Sequence, residues 1–308
     1  MYGLCDTVYG VTDPSEIFSG PAVTALGLAA SRTVESNRAD HLISDPLARA
    51  FFEAAGMNLP MRLDWPEPGE AVTDTERLHL HGSRYIGLRT RFYDDLLLQA
   101  AHRGLKQAVL IGAGLDTRAF RLALPADFHL IERDYDALLE WKQTVVEARA
   151  AIPSCRRSWI GTDLREDWTA ELSRRELDTA QPAAFIAEGL LPYLTPEEQR
   201  SLLDQIDAIT TTGSVLALDR IVGDPHAADR VASLTRRSGL DMTQLLASGE
   251  NNDIGMGLRD RGWNIRETPV ADLALSYARD LTDPFAATED AGSPEPLWLE
   301  TRFLQGTR

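Results

Sequence analysis

Two glycines and a series of carboxylates are the residues in this sequence whose spacing could support chemistry. Residues 109–118 read VLIGAGLDTR, so a short apolar strand runs into a Gly112-x-Gly114 turn before a helix begins. About twenty residues later, Glu132 and Asp134 end a second apolar segment. This order predicts a strand–helix–strand unit, in which an acid at the tip of the second strand binds both hydroxyls of a ribose.

The turn departs from the dinucleotide-binding fingerprint at one position. Gly112 and Gly114 are followed by Thr117, where that fingerprint has a third glycine, so a pyrophosphate fits less well. A nucleoside with a small charged tail fits better, and S-adenosylmethionine is such a ligand. The pattern therefore favours a methyltransferase. Two alternatives stay open at this point: a protein that binds the cofactor without catalysis, and an NAD-dependent dehydrogenase.

Carboxylates recur at the ends of three successive predicted strands. They are Glu132 with Asp134, then Asp163, then Glu188. In an open parallel sheet, ligands bind outside the carboxyl ends of the strands. Asp134 could bind the ribose, Asp163 the adenine amino group, and a further acid the ammonium group. The carboxylate of the cofactor needs a cation, which Arg89 or Arg91 on the preceding helix could supply.

Composition limits the possible partners. The chain has 308 residues, a formal net charge of −16 and 44% hydrophobic residues. This acidity argues against a nucleic acid as substrate and against docking on an anionic membrane, because both need a basic surface. No apolar run reaches the roughly 18 residues of a membrane span, and the first residues show no signal-peptide pattern. We therefore expect a cytoplasmic enzyme that acts on a small molecule.

Neither the cysteines nor the histidines predict a metal site. Cys5 and Cys155 give no ligand spacing and no disulfide framework. His79 and His81 are two residues apart, so on a helix their side chains point in widely different directions. We expect no metal cofactor.

The elements that must position these residues fall into two blocks. Apolar residues recur at spacings of three and four in residues 23–30, 46–55 and 76–101, and Asp45-Pro46 is typical of a helix start. We therefore expect residues 1–104 to form a helical lid that recognises the substrate. Residues 105–308 should form the S-adenosylmethionine-binding domain.

Strand and helix patterns alternate after residue 105. The strand candidates are residues 107–111, 128–132, 158–161, 183–187 and 214–219, with late strands at 263–265 and 297–303. The helix candidates are residues 135–150, 196–210 with Thr195 as its cap, 224–246 and 272–281, and residues 290–296 read as a loop. The predicted fold is α/β and Rossmann-like, a mostly parallel seven-stranded sheet with helices on both faces that ends in a reversed hairpin.

Several segments resemble the leucine carboxyl methyltransferase family. The likeness is closest to its bacterial branch, which includes polyketide O-methyltransferases of the tetracenomycin type. It spans roughly residues 25–305 and depends most on GAGLDTR at 112–118 and EGLLPYL at 188–194. Shorter matches are SRTVES at 31–36, DPLA at 45–48, RTRFYDD at 89–95 and ERD at 132–134. The resemblance implies a class I methyltransferase that depends on adenosylmethionine and has a helical lid before its sheet.

The resemblance also implies roles for individual residues. In chain order these are Arg89 at the methionine carboxylate, Gly112 at the cofactor turn, Asp134 at the ribose, Asp163 with Leu164 at the adenine, and Glu188 near the methionine amino group. Eukaryotic members that modify proteins carry a lysine early in the lid, where this chain has Ser31-Arg32. This difference argues against a protein C-terminus as the substrate.

The identity of the acceptor group is predicted from the residues around the motifs. No histidine lies in a motif segment, whereas arginines stand at 32, 89, 91 and 118. A carboxylate is ionised at neutral pH, while a phenol with a pKa of about 10 needs a base. We expect an O-methyltransferase for a carboxylate or phenol of a natural product, with the carboxylate favoured. Arg32 or Arg118 could hold it, and Tyr193 and Tyr85 could line the acceptor pocket.

Overall fold

A seven-stranded sheet forms the centre of the computed structural model. The structure describes residues 14–222 except 21 and 58, residues 229, 231, 232 and 235, and residues 253–285 and 296–308. The strands are β1 (Gln107–Ile111), β2 (His129–Asp134), β3 (Arg156–Gly161), β4 (Ala184–Ala187), β5 (Val215–Ile221), β6 (Asn264–Pro269) and β7 (Thr301–Thr307). Their order across the sheet is β3-β2-β1-β4-β5-β7-β6. Strand β7 runs in the direction opposite to the other six, so its pairs with β5 and β6 are antiparallel and the remaining pairs are parallel.

Helices precede the sheet and connect its strands. They are α1 (Pro14–Ile17), α2 (Ala22–Ser36), α3 (Pro46–Ala55), α4 (Asp74–His102), α5 (Arg118–Arg121), α6 (Asp136–Ala148), α7 (Thr169–Arg175), α8 (Pro196–Ala208), α9 (Ile254–Asp260) and α10 (Val270–Ser276). Single 3₁₀ turns occupy Leu191–Tyr193 and Leu297–Glu300. Among the described residues before position 105 all regular structure is helical, as the sequence predicts.

Two apolar clusters cover the two faces of the sheet. Successive side chains of a strand point to opposite faces, and β1 contributes Leu110 to one cluster and Val109 to the other. The first cluster is completed by α4 residues such as Leu88, and the second by α8 residues such as Leu202. Because both faces are buried, the central strands are almost continuously apolar, as expected of a parallel sheet with helices on both sides.

Local capping chemistry explains where two of the predicted helices begin. The Asp45 side chain accepts a hydrogen bond from Ala48 N at 3.1 Å, and Pro46 occupies the first turn of α3. Thr195 forms a reciprocal capping box with Glu198 at the start of α8. Both starts agree with the sequence prediction.

The C-terminal part of the chain differs from the prediction in its boundaries. The strand predicted at 297–303 is wrong in its first half, because Leu297–Glu300 form a 3₁₀ turn and β7 continues to Thr307. The helix predicted at 272–281 begins at Val270 and ends at Ser276. Ala278 has a φ of 51°, a left-handed conformation that a right-handed helix does not continue through. Strand β6 is longer than predicted and reaches Pro269.

Most of two further predicted segments lies outside the described residues. They are the helix at 224–246, of which only four separate positions are described, and the loop at 290–296, of which only Pro296 is described. Helix α2 continues to Ser36, six residues beyond the predicted segment 23–30. The other predicted strands and helices start and end within a few residues of their predicted positions. Strand boundaries are the least determined by local sequence, because they depend on pairing with neighbouring strands.

The strand order places a switch point between β1 and β4. The chain moves outward from β1 to β2 and β3, then returns to β4 on the other side of β1. Ligands of open α/β sheets bind in the crevice at this point, outside the carboxyl ends of the strands. The turn after β1 and the turn after β4 therefore meet where a ligand is expected.

Candidate cofactor-binding site

A cavity of about 320 Å³ opens at the carboxyl ends of β1 to β4, beside helix α2. Its wall includes all seven residues that the sequence predicts for the cofactor: Arg89, Gly112, Gly114, Asp134, Asp163, Leu164 and Glu188. Two of the four acceptor candidates, Arg32 and Tyr193, also line it. Residues separated by about a hundred positions in the sequence thus share one cavity.

The glycine turn and Asp134 are joined directly. Asp134 Oδ2 accepts a hydrogen bond from Gly114 N at 2.7 Å, and Oδ1 accepts one from Tyr135 N at 2.7 Å. Burial raises the pKa of Asp134 above its usual value, although these two N–H groups oppose the shift. Gly112 has a φ of 70°, and a Cβ there would lie 3.2 Å from Leu190 Cδ1. The turn therefore needs glycine both for its backbone conformation and for the space above it.

Glu188 and two arginines form a buried ion-pair group at the turn after β4, beside the glycine turn that follows β1. Glu188 Oε1 accepts a hydrogen bond from Arg89 Nε at 3.0 Å, and Oε2 pairs with Arg118 Nη2 at 2.8 Å. Burial alone would raise the pKa of Glu188, but the charges of Arg118 and Arg89 lower it below its usual range. Glu188 is therefore ionised at neutral pH. Each carboxylate oxygen can accept a second hydrogen bond, so Glu188, which lines the cavity, can also meet a ligand cation.

Arg89 is directed to the cavity by its neighbours. Its Nε donates to Glu188 at 3.0 Å, and the residue lines the cavity, where a guanidinium can meet a ligand carboxylate in a two-pronged contact. Gly189 follows Glu188 with a φ of 63°, and a Cβ there would lie 2.7 Å from Arg89 Nη1. Arg91, the other candidate cation, instead pairs with Asp95 one turn along α4 and does not line this cavity.

Asp163 lies at the cavity rim in a local ion pair. Arg165 donates to both carboxylate oxygens of Asp163, with Nη2 2.7 Å from Oδ2, and its guanidinium also reaches Tyr135 Oη at 3.3 Å. These hydrogen bonds lower the pKa of Asp163 below its usual value. Tyr135 and Arg165 both line the cavity, and the sequence interpretation missed them although each lies within two positions of a predicted residue.

Arg118 lies behind the cavity wall rather than on it. Its side chain is only 2% exposed and pairs with Glu188, Asp94 and Asp116. In this structure its charge supports Glu188 and does not face the cavity. Glu132 likewise points away from the cavity, because its fully buried carboxylate is held by Lys142 and Arg157.

Arg32 and Tyr193 connect the cavity to helix α2. Arg32 Nε donates to Asp45 at 2.8 Å and Nη2 donates to the Leu115 carbonyl oxygen at 2.7 Å, so the arginine ties α2 to the glycine turn. Tyr193 Oη donates to Thr24 Oγ1 at 3.2 Å. Tyr85, by contrast, is buried against Trp298 and does not line this cavity.

Asp219 is a strand-end carboxylate that the sequence interpretation did not single out. It lies in β5, is buried, and accepts hydrogen bonds from Tyr93 Oη at 2.5 Å and Gly189 N at 2.7 Å. Burial raises its pKa above the usual value. The signal was available, since Asp219 ends a predicted strand just as Asp134 and Glu188 do. By accepting from Gly189 N, Asp219 fixes the turn that follows Glu188.

The charged side chains of the cavity match the polar groups of S-adenosylmethionine. An ionised Glu188 suits the ammonium group and Arg89 the carboxylate, while Asp134 and Asp163 provide acceptors for hydroxyl and amino hydrogens. Within the described residues no group of three or more His, Cys, Asp or Glu side chains could hold a metal ion. His79 and His81 each hydrogen-bond to a backbone carbonyl oxygen.

No helix in the described part of the chain has both the length and the apolar character of a membrane span.

Two solved structures share the overall fold. A methyltransferase from Thermobifida fusca has a TM-score of 0.54 at 18% identity and covers 96% of this chain and 97% of its own. A protein from Streptomyces avermitilis has a TM-score of 0.51 at 14% identity, and the match covers 90% of this chain and 96% of that protein.

Sequence comparison identifies relatives over most of the chain. A protein of Saccharopolyspora erythraea, named for S-adenosyl-L-methionine-dependent methyltransferase activity, is 38% identical over 274 residues, 87% of this chain and 92% of the relative. A similarly named protein of Streptomyces coelicolor is 39% identical over 283 residues, covering 90% and 92%. The model of the leucine carboxyl methyltransferase family matches residues 25–207. The chain therefore belongs to the leucine carboxyl methyltransferase family and is an S-adenosylmethionine-dependent methyltransferase.

Proposed function

We propose that this enzyme transfers the methyl group to an oxygen of a small natural product, and that the oxygen belongs to a carboxylate. One observation supports this choice most strongly. None of the described residues that line the cavity is a histidine or a lysine. Its carboxylates also have hydrogen-bond partners of their own at Asp134, Asp163 and Glu188. An acceptor that is already ionised at neutral pH needs no base.

The proposed cofactor contacts follow from the positions of the charged groups. Arg89 binds the methionine carboxylate and Glu188 the ammonium group, with Arg118 keeping Glu188 ionised. Asp134 accepts from the ribose hydroxyls, and Asp163 and Leu164 meet the adenine. Bound S-adenosylmethionine supplies an electrophilic methyl group on a sulfonium. The chain contributes mainly proximity and alignment of the acceptor oxygen with that methyl group.

Arg32 is the residue proposed to hold the acceptor carboxylate. It lines the cavity, and its Nη1 makes no hydrogen bond to any residue that the structure describes. The other two nitrogens fix the guanidinium plane through Asp45 and the Leu115 carbonyl group. A guanidinium held in this way loses little conformational freedom when it binds an anion. Arg118, which is enclosed by three carboxylates, is not proposed for this role.

Residues 1–104 are proposed to act as a lid that selects the acceptor. Helix α2 brings Thr24, Ala25 and Leu28 to the cavity wall, opposite the strand ends. Tyr193 from the EGLLPYL segment meets α2 through Thr24. A covering element of this kind can exclude water and shape the space beside the reacting methyl group.

The pH dependence of methyl transfer tests the choice of acceptor. Single-turnover rates are measured from pH 6 to 9 with saturating cofactor, using matched aromatic carboxylic acids and phenols. A carboxylate with a pKa of about 4 stays ionised throughout, so we expect a nearly flat profile and methyl ester as the product. A phenol acceptor gives a rate that rises about tenfold per pH unit at the acid end. Turnover of phenols alone, with that slope, would overturn the carboxylate proposal and leave methyltransferase activity intact.

A further inference from the structure

The side chain of one buried arginine next to the cofactor cavity has no hydrogen-bond partner within the described part of the chain. Arg133 is the fifth residue of β2 and is only 1% exposed. Neither its Nε nor its Nη1 or Nη2 meets an acceptor among the residues that the structure describes. The register places Arg133 beside Ile111 and Ile160, which belong to the apolar cluster on one face of the sheet. Burial lowers its pKa to about 10, so the guanidinium is still charged at neutral pH.

The carboxylates nearest to Arg133 are engaged elsewhere. Both oxygens of Asp134 accept backbone N–H groups, and both oxygens of Asp163 accept from Arg165. Glu132, the preceding residue, lies on the opposite face of the strand with Lys142 and Arg157. Asp134 and Asp163 therefore act on Arg133 only through space. A buried cation without a bonded counter-charge destabilises the folded state, as the loss of one member of a buried ion pair does.

Two further buried polar groups lie on the same face of the sheet as the guanidinium. Arg133 Cζ is 5.4 Å from the centre of the Trp168 ring, and the buried Trp168 Nε1 has no partner among the described residues. Thr162 N donates to the Asp134 carbonyl oxygen at 3.1 Å, which extends the strand ladder and keeps Thr162 on the same face as Ile160. Thr162 Oγ1 is also buried and unpartnered within the described residues. Buried polar groups in native proteins are rarely left in this state.

We propose that Arg133, Thr162 and Trp168 form a buried site for a small monovalent anion such as chloride. Guanidinium and indole groups only donate hydrogen bonds, so they suit a ligand that only accepts. A water molecule would not neutralise the charge of the guanidinium, whereas a monovalent anion would, and the Thr162 hydroxyl can donate to that anion. Full burial in an apolar cluster excludes large or strongly hydrated anions such as sulfate. Arg133 precedes Asp134 and Thr162 precedes Asp163, so the anion site lies next to the cofactor cavity. Anion binding there does not depend on the identity of the methyl acceptor.

Thermal unfolding of the full chain at constant ionic strength tests the proposal. Replacing sodium gluconate by sodium chloride should raise the Tm of the wild type by about 1–3 °C, because the anion binds the folded state only. Arg133→Met should show no chloride effect, and its Tm in gluconate should equal or exceed that of the wild type, because the buried charge is gone. Arg174→Met, which changes an exposed arginine on α7, is the matched control and should respond like the wild type.

A crystal of the wild type soaked in bromide provides a second, independent measurement. The proposal predicts an anomalous difference peak beside the Arg133 guanidinium and Trp168 Nε1. A chloride-dependent Tm that persists in Arg133→Met would overturn it, because the anion would then bind elsewhere. A wild type that does not distinguish chloride from gluconate would also overturn it, as would a crystal that shows only water at Arg133.

Discussion

Asp134 is the residue whose replacement reports most directly on cofactor binding. Its carboxylate lies on the cavity wall between the glycine turn and Tyr135. Asp134→Ala should weaken S-adenosylmethionine binding by about 1–3 kcal/mol, the usual loss when a buried hydroxyl loses its acceptor. Calorimetric titration measures this change. Glu140→Ala, which removes an exposed carboxylate from α6, is the control and should bind normally.

An unchanged dissociation constant in a folded Asp134→Ala protein would contradict this assignment. Glu132 would not be the replacement partner, because its carboxylate is buried with Lys142 and Arg157. The contact would then have to come from another group on the cavity wall.

The pKa of Asp134 also predicts how cofactor affinity changes with pH. Burial raises this pKa above the usual value of 3.8, whereas the pKa values of Glu188 and Asp163 are lowered. Asp134 should therefore be the first of the three to become protonated on acidification, and the protonated form accepts hydrogen bonds less well. We expect affinity for S-adenosylmethionine to fall as the pH drops towards that raised pKa. Titrations from pH 7 to 4.5 test this, and Asp134→Asn should lack the dependence.

At the scale of elements, the turn after β4 depends on a glycine for two separate reasons. Gly189 has a φ of 63°, and a Cβ would lie 2.7 Å from Arg89 Nη1. Gly189→Ala should therefore displace Arg89 and weaken cofactor binding about tenfold or more, in addition to a backbone cost of about 1 kcal/mol. Gly56→Ala is the matched control, because Gly56 has a φ of 60° and open space around it. Equal cofactor affinity in the two variants would show that Arg89 is not required there.

Helix α2 is the element expected to respond most to the cofactor. Its residues Thr24, Ala25 and Leu28 face the cavity, and Arg32 holds it to the glycine turn. Hydrogen exchange should slow across residues 22–36 when S-adenosylmethionine binds, because closing the site suppresses local opening. Exposed helix α7 serves as an internal reference. Equal exchange of α2 with and without cofactor would count against the proposed lid.

Much of the fold could be predicted from local sequence, and the parts that could not depend on contacts between distant residues. The glycine turn, the capping residues Asp45 and Thr195 and the strand-end acids are local patterns with direct physical causes. Asp219 obeys the same strand-end rule and could have been found. The enclosure of Arg118 could not, because two of its partners, Asp94 on α4 and Glu188 after β4, come from distant segments.

The boundaries of β7 show the same distinction. Residues 297–303 have the apolar character of a strand, yet the first four form a 3₁₀ turn. Strand β7 is instead defined by antiparallel pairing with both β5 and β6, which continues to Thr307. That pairing joins residues far apart in the chain, so no local pattern sets where it ends.

At the scale of the whole molecule, the central claim is that this fold binds S-adenosylmethionine at the switch point of the sheet. The Gly112–Gly114 turn lacks a third glycine, and the wall of the same cavity carries the ion pair of Arg89 and Glu188. Both features suit a nucleoside with an amino-acid tail better than a dinucleotide. Binding of the two ligand classes should therefore differ sharply.

Isothermal titration calorimetry of the wild-type protein with S-adenosylmethionine and, separately, with NAD tests this claim most directly. We predict one S-adenosylmethionine per chain with a Kd in the micromolar range, roughly 1–100 μM, and no measurable heat from NAD. Binding of NAD without binding of S-adenosylmethionine would contradict the account.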